Sequence, residues 1–150
     1  MAIMERDLQV HTEDIDRLRA ELGHVVEFFR QLGYERCDVS FGWAWSTDRD
    51  KSDLAMKSVN IPLIDLDAEV RRAEDAGLGN FGRDNVWISF EGQTFKVQIC
   101  HHNGIHLYYA DPDEITQHFR DRWRAAGLEP KGFEKVDSGS DWRPTLGGEN

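Results

Sequence analysis

The amino-acid sequence predicts an α+β fold, a mainly antiparallel sheet with helices packed on one face. Two patterns carry that expectation. Runs with apolar residues at every second position follow one another across short turns, as hairpin strands do. Runs with helical spacing stand before, between and after them, so only one helical crossover separates strands. A parallel doubly wound sheet needs a helix between most strands and is excluded. The expected order is α-β-β-α-β-β-β-α, in a single domain over residues 1–127. Residues 128–150 form a polar tail, and Phe133, Val136 and Trp142 give it apolar points with which to dock on the domain.

The first helix is expected from Thr12 to Leu32, because Ile15, Leu18, Leu22, Val25, Val26, Phe29 and Leu32 recur at helical spacing. Thr12 or Asp14 caps its start and Gly33 ends it. A strand follows from Arg36 to Trp45, with Cys37, Val39, Phe41, Trp43 and Trp45 alternating against smaller or polar residues. Ser46 to Leu54 reads as an exposed loop. The second strand, Lys57 to Ile64, contains Pro62, which cannot donate to a ladder and so marks a sheet edge. A short helix from Leu66 to Ala76, capped by Asp65, supplies the crossover.

Three strands then form a meander. A two-residue Glu91-Gly92 loop pairs Ile88 with Phe95 and Val86 with Val97. For the next turn the hydrophobic pattern decides, because a one-residue slip moves every side chain to the other face. A three-residue loop, His102-Asn103-Gly104 with Gly104 left-handed, sets His101 opposite Ile105. It returns Leu107 and Tyr109 to the face of Val97 and Ile99, with His101 inward and His106 outward. The last helix is expected to begin at Asp111, with Pro112 in its first turn and Glu114 completing a capping pattern. Ile115, Phe119, Trp123 and Ala126 form its apolar stripe.

The chain of 150 residues carries 28 acidic and 18 basic side chains, a net charge of −10. That surface repels phosphate backbones and anionic lipid, so nucleic acid and membrane are not expected partners. No apolar run approaches the roughly 18 residues of a spanning helix. No basic-then-apolar leader is visible at Met1–Asp7, which makes cytoplasm the expected compartment. Cys37 and Cys100 stand far apart without a C-x-x-C spacing and read as free, buried thiols.

Chemistry-bearing residues are few. His101, His102 and His106 lie within one hairpin end, and imidazole is the commonest metal ligand. His101 and His106 are the metal candidates, with Asp38 or Cys100 needed to complete a set, but the expected register turns them to opposite faces. Cys100 and His106 can also neighbour each other across strands as a thiol–imidazole pair. The run beginning Asp48-Arg49-Asp50 resembles the start of a calcium loop. It has Asp53 where the turn needs Gly, and Val59 where the ion needs Glu. The glycines of Gly77–Gly82 follow a helix and precede a strand, the reverse of a dinucleotide fingerprint.

With no assembled catalytic set and no cofactor motif, the leading expectation is a non-enzymatic one. The chain reads as a small acidic protein that neutralises or regulates a basic protein partner by occlusion, in the manner of an inhibitor or of the immunity partner of a bacterial toxin. Trp45, Asp48, Asp50 and Asp53 are the expected partner-binding residues. The alternative is a small-ligand-binding protein or a metal-dependent enzyme built on the His101–His106 hairpin.

Overall fold

The computed structural model describes residues 3–42, 58–136 and 142–145. Strand β1 (Ile3–His11) leads into helix α1 (Ile15–Gln31), strand β2 (Arg36–Phe41) and strand β3 (Ser58–Pro62). A single 3₁₀ turn, Leu63–Asp65, opens helix α2 (Leu66–Asp75). Strands β4 (Val86–Ser89), β5 (Lys96–Cys100) and β6 (Gly104–Tyr109) form the meander. Helix α3 (Glu114–Ala125) is followed by β7 (Lys131–Val136) and β8 (Trp142–Pro144). From α1 to α3 the order is the expected one. The structure adds β1 before it and turns part of the tail into β7 and β8. All the strands join one antiparallel sheet in the order β3-β2-β4-β5-β6-β1-β7-β8. Pro62 lies at the end of the edge strand β3, as its missing N–H requires.

Strand register sorts the side chains onto two faces. Leu8, Leu107, Val97, Ile88 and Val39 line up across five strands, and Val10, Ile105, Ile99 and Val86 form the next row. These rows pack against Leu18, Leu22, Val25 and Phe29 of α1, Leu66, Val70 and Ala73 of α2, and Phe119 and Trp123 of α3. Full burial of one such side chain contributes about 1.5–3 kcal/mol, so this helix-covered face is where the fold is held. The other face is polar. Its rows read Asp7, Tyr108, Lys96, Ser89, Asp38 and Gln9, His106, Gln98, Trp87, Ser40.

Both hairpins keep the expected faces with a register shifted by two residues. Val86 pairs with Ile99 and Ile88 with Val97, and Ile99 with Ile105 and Val97 with Leu107. The second loop is His101–Asn103 between the paired Cys100 and Gly104, and Asn103 rather than Gly104 holds the positive φ of 57°. A two-residue slip leaves side-chain parity intact, so hydrophobic alternation alone does not distinguish the two registers. The shift places His101 in the turn, exposed, where the sequence reading had turned it inward.

One expected helix cap is found and another is shifted. Asp14 caps α1 by accepting from the Arg17 N–H. Helix α3 starts two residues later than Asp111 implied: Asp113 accepts from Ile115 and Thr116 N–H, and the Thr116 hydroxyl accepts from the Asp113 N–H. This Asp-x-x-Thr box satisfies end donors reciprocally.

Candidate functional site

The polar face of the sheet holds a convergence of side chains at the closed end of the β5–β6 hairpin. Register places Cys100, Gly104 and His11 in one row across β5, β6 and β1. The middle residue has no side chain, and the two flanking groups lean over it. A Cβ at Gly104 would lie 2.6 Å from His11 Cδ2, 2.7 Å from His11 Nε2 and 2.9 Å from Cys100 Sγ. Any side chain there would therefore displace the imidazole and the thiol. His106 stands two residues along β6 on the same face. The ligand atoms of His11, Cys100 and His106 all lie within 4.8 Å of one another.

Asp7 organises this cluster from β1. Its carboxylate lies 3.0 and 3.1 Å from His106 Nδ1 and also accepts from Gln9 Nε2 at 2.8 Å. His106 also hydrogen-bonds the Cys100 side chain. Burial works to lower the His106 pKa, but the hydrogen bonds to Asp7 and Cys100 outweigh it and raise it to about 9. Burial works to raise the Cys100 thiol, and here too it is outweighed. The bond to His106 and the backbone N–H groups of His102 and Gly104 bring the thiol below its ordinary value. His11 is lowered, first by burial and then by His106, His102 and Lys131. The set thus offers a thiol that ionises more readily than usual, an imidazole that takes up a proton less readily, and a second imidazole whose orientation a carboxylate fixes. Cys37 is the contrast: it faces the core, and burial with Asp38 pushes its thiol up to about 12. Both cysteines are free and buried, as expected.

A second histidine pair lies on the opposite side of the sheet, between α1 and α3. His24 Nε2 and His118 Nε2 are 2.8 Å apart, and His118 stacks on Phe28 at 4.1 Å between ring centres. The neighbouring carboxylate, Glu21, is already taken: it accepts from Arg122 Nε at 3.0 Å, from the other Arg122 nitrogen at 2.7 Å and from Trp123 Nε1 at 3.0 Å. Burial, then Arg122 and His118, lower His24 to about 4.

Of the residues singled out in the sequence, His106 and Cys100 enter the cluster and His101 does not. The His101 backbone N–H donates to Asn85 Oδ1 at 3.0 Å, and its Nδ1 lies 3.1 Å from the same atom. Asp38 sits on β2 and hydrogen-bonds Asn60. Trp45, Asp48, Asp50 and Asp53 lie outside the described residues. His11 and Asp7 were missed. The signal for them was the alternation Asp7, Leu8, Gln9, Val10, His11, a short strand with one polar face.

No family model, curated protein or solved structure matches this chain. Among the described residues no helix is long and apolar enough to cross a membrane.

Proposed function

We propose that the chain binds a zinc-class divalent metal through His11, Cys100 and His106, which makes it a metal-dependent protein of the kind the hairpin histidines suggested. The observation that carries this reading is the convergence of three ligand atoms within 4.8 Å of one another, two of their side chains packed over Gly104. The donor set suits the ion. Thiolate and imidazole are the usual zinc ligands, and Asp7 on His106 Nδ1 is the outer-shell carboxylate that such histidines carry. Three protein ligands leave the fourth tetrahedral position to water, whose pKa zinc lowers to about 7.

Equilibrium dialysis against zinc, with metal counted by mass spectrometry, tests it. One equivalent is expected, lost in Cys100→Ser and His11→Ala, with Asp7→Asn weaker by about 10–100-fold. Retention of zinc by both ligand variants would end the proposal. The reading as an acidic protein that occludes a basic partner is supported by the net charge of −10. Pull-down from the native host, compared with a triple Asp→Asn variant at 48, 50 and 53, tests that alternative.

A further inference from the structure

We propose that the open side of the His11–Cys100–His106 centre takes a small oxyanion, a carboxylate or phosphate group, as the metal's fourth ligand, with Lys131 as its counter-charge. The inference rests on the metal reading above and adds the ligand.

The direction of approach follows from burial. Cys100 is 3% exposed and the His106 side chain 12%, whereas His11 is exposed. A ligand reaching the centre therefore comes past His11. Register pairs Lys131 of β7 with Gln9 of β1, which sets Lys131 on the polar face beside His11. His102 reaches the same edge from the β5–β6 turn. Its ring packs on His101 at 3.9 Å between ring centres, and its backbone N–H points to the thiol. Of the lysines and arginines Lys131 is the one whose charge reaches His11, and Asp7 is the carboxylate that does.

That one carboxylate already has its partners. Both Asp7 oxygens are engaged by His106, one also by Gln9, and the group is 5% exposed. No other His, Cys, Asp or Glu among the described residues joins the three ligands. A divalent ion with one thiolate keeps a net positive charge at its open position. In a chain with a net charge of −10, an opening with Lys131 beside it runs against the surface average. Such a local reversal selects small anions over extended polyanions, which the rest of the surface repels.

Cobalt(II) in place of zinc gives the readout, because its visible bands report both the thiolate bond and the coordination number. Inorganic phosphate and acetate are titrated separately into the cobalt-loaded full chain. At least one is expected to shift the bands saturably. Lys131→Met should weaken that binding by about 5-fold or more with the thiolate band unchanged, and Lys131→Arg should restore most of it. Equal binding to wild type and Lys131→Met, or no shift with either anion on a cobalt-loaded centre, overturns the inference while leaving the metal reading standing. A missing thiolate band overturns the metal reading, and the inference falls with it. Lys131 is exposed, so neither substitution threatens folding.

Discussion

The chain holds two close histidine clusters on opposite faces of one sheet, and the most shifted histidine of each titrates in the opposite direction to the other. His106 is raised to about 9 and His24 is lowered to about 4. Burial pushes both downward, so burial does not separate them. The difference lies in what the nearest carboxylate is doing. Asp7 is hydrogen-bonded only to His106 and to a neutral amide, so its charge acts on the imidazole. Glu21 is spent on Arg122 and Trp123, so His24 faces the guanidinium more than the acid that neutralises it. A histidine's charge is therefore decided by the pairing state of its neighbours, and in both cases a residue about a hundred positions away takes part, Asp7 for His106 and Arg122 for His24.

The largest expected effect comes from breaking the Glu21 pair. Arg122→Met leaves a carboxylate that is 5% exposed with only the Trp123 N–H for company. Removing one partner of a buried pair costs about 3 kcal/mol or more. The substitution also frees the negative charge to act on His24. Urea unfolding at pH 7 should show the loss, and NMR titration should show His24 moving up toward its ordinary value. An unchanged His24 titration would break the comparison, because Arg122 would then not be what holds it down.

The next effect is a pH dependence with two limbs. In the metal-free protein His106 has a higher folded than unfolded pKa. Its contribution is complete below about 6.5 and is lost as pH rises through about 9. His24 has a lower folded pKa, so the unfolded chain takes up the proton first. Stability then falls as pH drops from about 6.5 toward 4. Stability should be greatest near pH 6–7 as far as these groups control it. Asp7→Asn should cost on the order of 2 kcal/mol at pH 6 and little at pH 10, flattening the alkaline limb. His24→Gln should flatten the acid limb instead. If Asp7→Asn left the alkaline limb intact, the raised His106 would owe nothing to that carboxylate.

The two clusters also differ in how far the sequence reveals them. Helical periodicity puts Leu18, Leu22, Val25 and Phe29 on α1 and Phe119 and Trp123 on α3, so the helix-covered core was legible. The sheet cluster was legible in part. His106 and Cys100 stood out because they share a hairpin, and the outward face of His106 followed from keeping Leu107 inside. His11 did not stand out, because the β1–β6 pairing that delivers it joins residues on either side of more than half the chain. Strand β1 itself was missed because only Leu8 and Val10 mark its inner face there, and the strong helical period beginning at Ile15 masks the boundary. Hairpin register failed by two residues for a physical reason: alternation reports parity, while turn conformation sets the count. That two-residue difference moves His101 from the strand into the turn and out of the metal set.

A smaller effect isolates the α3 end of the helix pair. Asp113→Ala removes the acceptor for the Ile115 and Thr116 N–H groups. The expected loss is about 1 kcal/mol, read as a lower midpoint in urea with an unchanged slope. His118 lies more than one turn further along α3, so its titration should stay put. A shift there would mean that the cap positions His118, and that the pairing of His24 with His118 is less local than the geometry indicates.

The smallest expected effect sharpens the assignment of the sheet cluster most directly. His101 and His11 are both exposed histidines near the same turn, and only one has its nitrogen over Gly104. His101 instead faces Asn85 Oδ1, which the Gln98 side chain also reaches, and no core residue depends on its ring. His101→Ala should change stability by about 0.5 kcal/mol or less. It should leave zinc stoichiometry at one equivalent, with affinity unchanged within a factor of about two. His11→Ala should be as innocuous to folding, since its ring is exposed, yet abolish tight zinc binding. The pair of variants therefore separates metal ligation from fold integrity at matched surface cost. If zinc left with His101 and stayed without His11, the hairpin would have to adopt the register in which His101 and His106 are cross-strand neighbours. Register and ligand set would then be wrong together, because the row of Cys100, Gly104 and His11 exists only in the pairing described here.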